Sequence, residues 1–81
     1  MSTVPPITMY GTTWCSDCTR TRQQLTRAGV AFDDIDIEEN PEAAELAERI
    51  SGGRRIPVVV LQDGRFLVEP SHPELAAAIA R

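Results

Sequence analysis

Residues 14–18 read Trp-Cys-Ser-Asp-Cys, and they lie between an apolar run from Ile7 to Tyr10 and a stretch without helix breakers from Thr19 to Ala28. This order predicts a strand, a short loop and a helix that begins near the first cysteine. The unpaired N–H groups and the dipole at a helix N-terminus stabilise a nearby negative charge. Because the thiolate is the nucleophilic form of cysteine, the motif predicts thiol–disulfide chemistry.

The size and composition of the sequence limit what kind of protein it encodes. Its 81 residues, 42% of them hydrophobic, predict a single domain spanning residues 1–81 with a small core. No apolar run approaches the roughly 20 residues of a membrane span, and residues 1–6 lack the basic and apolar regions of a signal peptide. The net charge of −4 argues against nucleic-acid binding. We expect a cytoplasmic monomer. In the cytoplasm a cysteine pair is more often catalytic or metal-binding than structural.

The middle of the chain predicts a strand followed by a helix. Residues 31–37 alternate imperfectly between apolar and acidic side chains, which suits an edge strand or a bulge. Asn40 and Pro41 then provide an N-cap and a proline in the first helical turn. The apolar residues of this helix recur at the spacing of one helical face; they are Ala43, Leu46, Ala47 and Ile50.

The last third of the chain predicts a hairpin and a helix. Residues 56–61 form a continuous apolar run, which is typical of a strand buried on both faces. Asp63-Gly64 is a hairpin signal, so residues 66–68 should pair antiparallel with that strand. The final helix combines a capping box with a buried stripe; the residues are Ser71 and Glu74 for the box, and Leu75, Ala78 and Ile79 for the stripe.

The element order β-α-β-α-β-β-α predicts an α/β architecture. The first half is a βαβ unit, in which a right-handed crossover through the helix connects two parallel strands. The second half adds the antiparallel hairpin and a packing helix. Together they predict a thioredoxin-like fold, with a four-stranded mixed sheet and three helices distributed over both of its faces.

The motif and its surroundings resemble the glutaredoxin family. A strand, a loop, Trp-Cys-x-x-Cys, a helix and a later Ile-Pro pair that opens a buried strand carry this resemblance. Residues 52–57 (Gly-Gly-Arg-Arg-Ile-Pro) and 68–71 (Val-Glu-Pro-Ser) are most similar to the mycoredoxins, the glutaredoxin-like proteins that use mycothiol instead of glutathione. The resemblance extends from about Ile7 to Ile79.

The resemblance implies a role for each residue of the candidate site. Cys15 is then the exposed nucleophile, and Cys18 the more buried resolving thiol. Pro57 follows a cis peptide bond, faces the cysteine pair and presents the backbone of Ile56 to an extended substrate. The candidates for holding a small thiol are Thr12, Trp14 and the Ile56 backbone, although Trp14 could equally pack over the disulfide.

The resemblance also implies an enzyme, a thiol–disulfide oxidoreductase. It would reduce mixed disulfides between oxidised or thiolated client proteins and a low-molecular-weight thiol, with no bound cofactor. We expect mycothiol rather than glutathione as co-substrate, because Thr12 and Asp17 stand where glutathione-using relatives often have a base and a tyrosine. The Gly-Gly turn that those relatives have after the hairpin is also absent from this sequence.

Two alternatives stay open at this point. A dithiol protein-disulfide reductase, served by a flavin disulfide reductase, would share the fold and the cysteine pair. An iron–sulfur glutaredoxin would share a cluster between two chains through Cys15 and external thiols. A zinc site within one chain is not expected, because structural zinc takes four ligands and His72 is predicted to face solvent at the start of the last helix.

Charged residues near the pair give further expectations. A helix N-terminus stabilises a thiolate by about 0.3 to 1 kcal/mol, and Asp17 between the cysteines opposes this effect. Arg20 and Arg22 would help if they folded back, but on an exposed helix we expect them to be solvated. Arg54 and Arg55 either recognise a carboxylate of the substrate or are simply exposed in a polar loop.

Overall fold

The computed structural model describes residues 6–80. Most of residues 1–6, which lack the pattern of a signal peptide, therefore lie outside the described residues. The elements follow in the predicted order; they are β1 (Ile7–Gly11), α1 (Ser16–Arg27), β2 (Phe32–Asp36), α2 (Pro41–Ser51), β3 (Val58–Val60), β4 (Phe66–Val68) and α3 (His72–Ile79). Within residues 6–80, no helix has the length and apolarity needed to cross a membrane.

The four strands form one mixed sheet in the order β2-β1-β3-β4. β1 pairs in parallel with β2, while β1 with β3 and β3 with β4 are antiparallel. β2 is therefore an edge strand, and its register with β1 runs without a break from Ile7–Phe32 to Gly11–Asp36. The edge position, not a bulge, accounts for the imperfect alternation in this segment, because most side chains there stay in contact with solvent.

Helices cover both faces of the sheet and create two core clusters. On one face, Met9 and Val59 pack with side chains from α1 and α3, including Leu25 and Leu75. On the other face, a smaller cluster forms around Val58 of β3 and Ala47, the buried residue of α2. Successive residues of β3 thus enter opposite clusters, which confirms that this strand is buried on both faces.

The helix ends show which local signals operate. Gly29 follows α1 with a φ of 72°, and the predicted capping box at Ser71 is present at the start of α3. Asn40 occupies the N-cap position of α2 and Pro41 its first turn, as predicted, although the Asn40 side chain makes no capping hydrogen bond within the described residues. Its Nδ2 donates instead to the carbonyl oxygen of Asp36 at 3.1 Å. Leu46, expected on the buried face, is exposed.

Candidate active site

Cys15 occupies the N-cap position of α1, immediately beyond the loop that leaves β1. Its Sγ accepts a hydrogen bond from the backbone N–H of Cys18 at 3.2 Å. An acceptor in this position satisfies one of the unpaired donors of the first turn and faces the positive end of the helix dipole. Since Cys15 is only half-buried and both cysteines are free thiols, this sulfur is accessible at the start of the helix.

Cys18 lies one helical turn later in opposite surroundings. Its side chain is 0% exposed and belongs to the core cluster between the sheet and α1. Burial, reinforced by the hydrogen bond with Cys15, raises the pKa of the Cys18 thiol to about 12, although the Thr12 backbone and the charge of Arg22 act against the increase. Cys18 is therefore protonated at neutral pH.

Gly11 makes room for this buried sulfur. A Cβ atom at position 11 would lie 2.7 Å from Cys18 Sγ and 3.3 Å from Cε of Met9. Such a separation is well inside van der Waals contact, so only glycine lets the end of β1 pass this close to the thiol. Reasoning from the sequence did not select Gly11; its only signal was a glycine at the end of the strand that precedes the motif.

Trp14 stands beside the nucleophile with 69% of its surface exposed. Its indole Nε1 donates a hydrogen bond to Oε1 of Glu38 at 2.9 Å, across the loop that follows β2. An exposed ring held by its edge does not seal the cysteine pair, so the geometry disfavours the packing interpretation. Glu38 was not identified from the sequence, because the contact joins residues 24 positions apart.

Thr12 does not reach the surface as expected. Its side chain is 2% exposed, and its hydroxyl has no hydrogen-bond partner among residues 6–80. The Thr12 side chain therefore faces the interior, and a contact of this residue with a substrate stays a prediction. The carbonyl oxygen of Thr12 instead accepts a hydrogen bond from Nη2 of Arg22 at 3.4 Å.

The peptide bond between Ile56 and Pro57 is cis, as the resemblance implied. Pro57 is fully buried, and its carbonyl oxygen accepts a hydrogen bond from the N–H of Glu69 at 2.9 Å. Ile56 and Cys15 both pack against the core cluster that contains Cys18. The segment before β3 and the start of α1 therefore both border this core cluster.

The sequence as a whole agrees with this geometry, since the Glutaredoxin family model matches residues 7–67. The chain belongs to the glutaredoxin family. This glutaredoxin is 40% identical over 76 residues to Rv3198A, a Mycobacterium tuberculosis protein assigned to the glutaredoxins, covering 93% of this chain and 90% of that one. It is also 34% identical over 74 residues to Mycoredoxin 1 of Corynebacterium glutamicum, covering 90% and 91% respectively.

Solved structures support the same fold for this glutaredoxin. The glutaredoxin of Archaeoglobus fulgidus superposes with a TM-score of 0.83 at 33% identity, over 94% of this chain and 87% of that one. The NrdH-redoxin of Escherichia coli gives a TM-score of 0.76 at 30% identity, over 93% and 95%. With its Cys-x-x-Cys pair in place at the start of α1, this glutaredoxin is a thiol–disulfide oxidoreductase.

Arg54 and Arg55 of this glutaredoxin already have acidic partners. Arg54 pairs with Glu48 at 3.1 Å, and Arg55 with Glu69 at 2.9 Å, where the ion pair lowers the pKa of the Glu69 carboxyl. A substrate carboxylate would therefore compete with an internal one. Arg22, expected to be solvated, folds back onto Asp34 and the β1–α1 loop.

Arg20 also departs from the expectation of a solvated side chain. It donates to the carbonyl oxygen of Pro70 at 3.1 Å and lies 3.6 Å from Asp17, the acid between the cysteines. In the described residues of this glutaredoxin, no three His, Cys, Asp or Glu side chains are grouped closely enough to hold a metal ion. His72 is exposed at the start of α3.

Proposed function

We propose that this glutaredoxin reduces mixed disulfides between client proteins and a low-molecular-weight thiol, and that mycothiol is this thiol. Cys15 is the nucleophile and Cys18 the resolving thiol in this proposal. One observation carries it, namely the opposite surroundings of two sulfurs that are one helical turn apart. Cys15 is accessible and accepts a backbone N–H at the N-cap, whereas Cys18 is enclosed in the core.

The first exchange uses Cys15 alone. Its thiolate attacks the small-thiol sulfur of the mixed disulfide, the bond to the client sulfur breaks, and the client thiolate leaves and takes up a proton. The attacking sulfur lies at the N-terminus of α1, where the Cys18 N–H points at it. The client is thereby reduced, and Cys15 carries the small thiol as a new disulfide.

Two routes release the small thiol from Cys15. In one, a second small-thiol anion attacks the bound small-thiol sulfur, which gives the small-thiol disulfide and frees the Cys15 thiolate. In the other, Cys18 attacks Sγ of Cys15 and expels the small thiol, and a reductase must then reduce the Cys15–Cys18 disulfide. Because burial raises the pKa of Cys18 to about 12, its thiolate is scarce at neutral pH, which supports the first route.

Trp14 and the backbone of Ile56 beside Pro57 are proposed to hold the small thiol. The exposed indole offers a flat surface next to Cys15, and its bond to Glu38 limits its rotation. A cavity of about 250 Å³ adjoins Ile56 between α2 and the segment before β3. Since the Thr12 side chain is buried, only its backbone could contribute to binding.

The choice of mycothiol has support in both the relatives and the sequence. Mycoredoxin 1 is among the relatives that this chain covers almost completely. In place of the Gly-Gly turn of glutathione-using relatives, this chain has Glu69 and Pro70, and Glu69 adopts a φ of 48° that glycine would adopt without strain. The altered turn supports a thiol other than glutathione.

An activity assay with one mixed-disulfide substrate tests the proposal. The substrate is a client protein carrying mycothiol, and the electron source is mycothiol, glutathione, or thioredoxin reductase with NADPH. We expect the mycothiol system to sustain turnover best, the Cys18→Ser variant to retain activity on the mixed disulfide, and the Cys15→Ser variant to be inactive. An inactive Cys18→Ser variant would show that the single-cysteine exchange is the wrong mechanism.

A second candidate function is dithiol reduction of protein disulfides with electrons from a flavin disulfide reductase. The structural similarity to the E. coli NrdH-redoxin favours it, because that protein is described as having a thioredoxin-like activity profile. This candidate requires both cysteines, so the Cys18→Ser variant would lose the activity completely. Turnover with thioredoxin reductase but not with mycothiol would establish it over the first proposal.

The working form of the protein is also part of the proposal. We propose that residues 1–81 form a single glutaredoxin-like domain that acts as a monomer in the cytoplasm, where the reducing thiol systems keep a cysteine pair available for exchange. The compact radius of gyration of 11.9 Å for the described residues fits one domain of this size. Sedimentation analysis of the reduced protein at assay concentrations tests the monomeric state.

A further inference from the structure

Arg22 connects three separate parts of the chain next to the resolving thiol. It lies one helical turn after Cys18 on α1, and its side chain is only 28% exposed. Its guanidinium pairs with both carboxylate oxygens of Asp34 on β2, with Nη2 3.4 Å from Oδ1. The same Nη2 donates to the carbonyl oxygen of Thr12 at 3.4 Å. An arginine on an exposed helix face usually keeps its head group in water, so this arrangement needs an explanation.

The contacts of Arg22 converge on the surroundings of the Cys18 thiol. The positive charge of Arg22 and the backbone of Thr12 both lower the pKa of Cys18, against the larger effect of burial. Arg22 supplies the charge directly and also holds Thr12 through its carbonyl oxygen. The other charged or titratable groups at this point are Cys15, which raises that pKa, and Asp34, which anchors the guanidinium.

We propose that Arg22 is a positioning residue for the resolving step, in which it holds the Thr12 backbone against Cys18 and supports the Cys18 thiolate with its charge. The inference rests on the proposed function, because it concerns the route in which Cys18 attacks Cys15. In that step Cys18 loses its proton, and its thiolate attacks Sγ of Cys15. The bond between Cys15 and the small thiol breaks, a Cys15–Cys18 disulfide forms, and the small thiolate leaves and takes up a proton.

The position of the guanidinium explains why the charge should act on one cysteine more than on the other. Cys15 Sγ accepts the N–H of Cys18 at the start of α1 and lies seven residues, about two helical turns, before Arg22, whereas Cys18 lies only one turn before it. Cys18 has no such donor from the helix terminus, because it already lies inside the first turn. Loss of Arg22 should therefore slow the second exchange and leave the first nearly unchanged.

The test measures the two exchanges separately with 2-hydroxyethyl disulfide, a small uncharged probe. The first exchange is the reaction of Cys15 with the probe in a Cys18→Ser background. The second is the release of 2-mercaptoethanol from Cys15 in proteins with both cysteines, followed by acid quench and mass spectrometry between pH 6 and 9. For Arg22→Gln we expect release to slow about threefold at pH 7, because a one-unit rise in the pKa of Cys18 would lower its thiolate fraction about tenfold while the more basic thiolate reacts faster. We expect the first exchange to change less than about twofold.

Three controls make the outcome decisive. Arg22→Lys retains the charge and should recover most of the release rate, while Arg27→Gln removes an exposed arginine from the last turn of the same helix and should have no effect. Thermal unfolding of each variant records any loss of structure. A release rate in Arg22→Gln equal to that of the unsubstituted protein overturns the inference, as does equal slowing of both exchanges in Arg22→Gln and Arg22→Lys.

Failure of the inference can be told apart from failure of the proposed function. If the unsubstituted protein forms the Cys15 mixed disulfide and releases 2-mercaptoethanol, the cysteine roles stand and only the role of Arg22 is in question. If Cys15 does not react with the probe, or the loaded protein never forms the Cys15–Cys18 disulfide, the two-cysteine route itself is wrong and the inference falls with it.

Discussion

The substitution Gly11→Ala tests the packing that keeps the resolving thiol inside the core. The added Cβ would lie 2.7 Å from Sγ and 3.2 Å from Cβ of Cys18, and 3.3 Å from Cε of Met9. Overpacking of a filled core by one methyl group costs about 1 to 3 kcal/mol. For a domain of this size, each kcal/mol lowers the melting temperature by roughly 4 to 8 °C. We therefore expect a loss that calorimetry of the reduced protein will detect readily.

Two further variants assign this loss to the sulfur contact. Gly53→Ala adds the same methyl group where no described atom lies within 4 Å and φ is not left-handed, so it should leave stability unchanged or raise it slightly. In the double variant Gly11→Ala/Cys18→Ala the clashing atom is gone, and the cost of the alanine at position 11 should fall by at least about 1 kcal/mol. A Gly11→Ala variant as stable as the original, or strictly additive effects in the double variant, would show that position 11 does not press on the Cys18 sulfur.

Three other predictions follow from the same structure. Burial raises the pKa of Cys18 in the folded protein from 9.0 to about 12, so the thiol of the unfolded chain loses its proton first as pH rises. The free energy of unfolding should therefore fall between about pH 9 and pH 12. Denaturant titrations should show this fall for the unsubstituted protein and not for the Cys18→Ser variant. Trp14→Ala removes an exposed ring, so kcat/KM for the small-thiol mixed disulfide should drop while stability changes by less than about 0.5 kcal/mol; unchanged kinetics would exclude substrate contact. Ser71→Ala removes the capping box of α3 and should lower the free energy of unfolding in urea by about 0.5 to 2 kcal/mol. Ser16→Ala, which lies outside that box, is the matched control and should not show this loss.

Much of the fold could be predicted because its signals are local. The strand–loop–helix order around the cysteine pair and the capping box at Ser71 each depend on residues within a few positions of one another. The continuous apolar run of β3 also predicts a strand buried on both faces, and helices do cover both of its faces. Such patterns determine element type and order, and the βαβ rule then limits the topology.

The features that sequence reasoning missed depend on residues that are distant along the chain. Gly11 matters because Cys18 packs against it, and Glu38 because its carboxylate reaches the Trp14 indole. Arg22 was expected in solvent, but the register of β2 places Asp34 opposite Met9 and within reach of α1. None of these contacts leaves a periodic signal, because each requires the completed sheet.

The departures from expectation at α2 have a similar origin. Asn40 does occupy the N-cap position, but its side-chain amide donates to the carbonyl oxygen of Asp36 and makes no capping hydrogen bond within the described residues. Leu46 has the right spacing for the buried face, yet α2 contacts the sheet mainly through Ala47, with Ala43 and Ile50 at the margins. Spacing predicts which side of a helix is apolar, whereas the width of the contact depends on what lies beneath it.

The proposed mechanism requires Cys15 to be the accessible nucleophile and Cys18 the enclosed thiol. Alkylation of the reduced protein with iodoacetamide as a function of pH, with each cysteine followed by peptide mass spectrometry, distinguishes the two sulfurs. We expect rapid modification of Cys15 at pH 7 and modification of Cys18 only in strongly alkaline solution or after unfolding. Equal rates for the two cysteines at pH 7, or faster modification of Cys18, would contradict it.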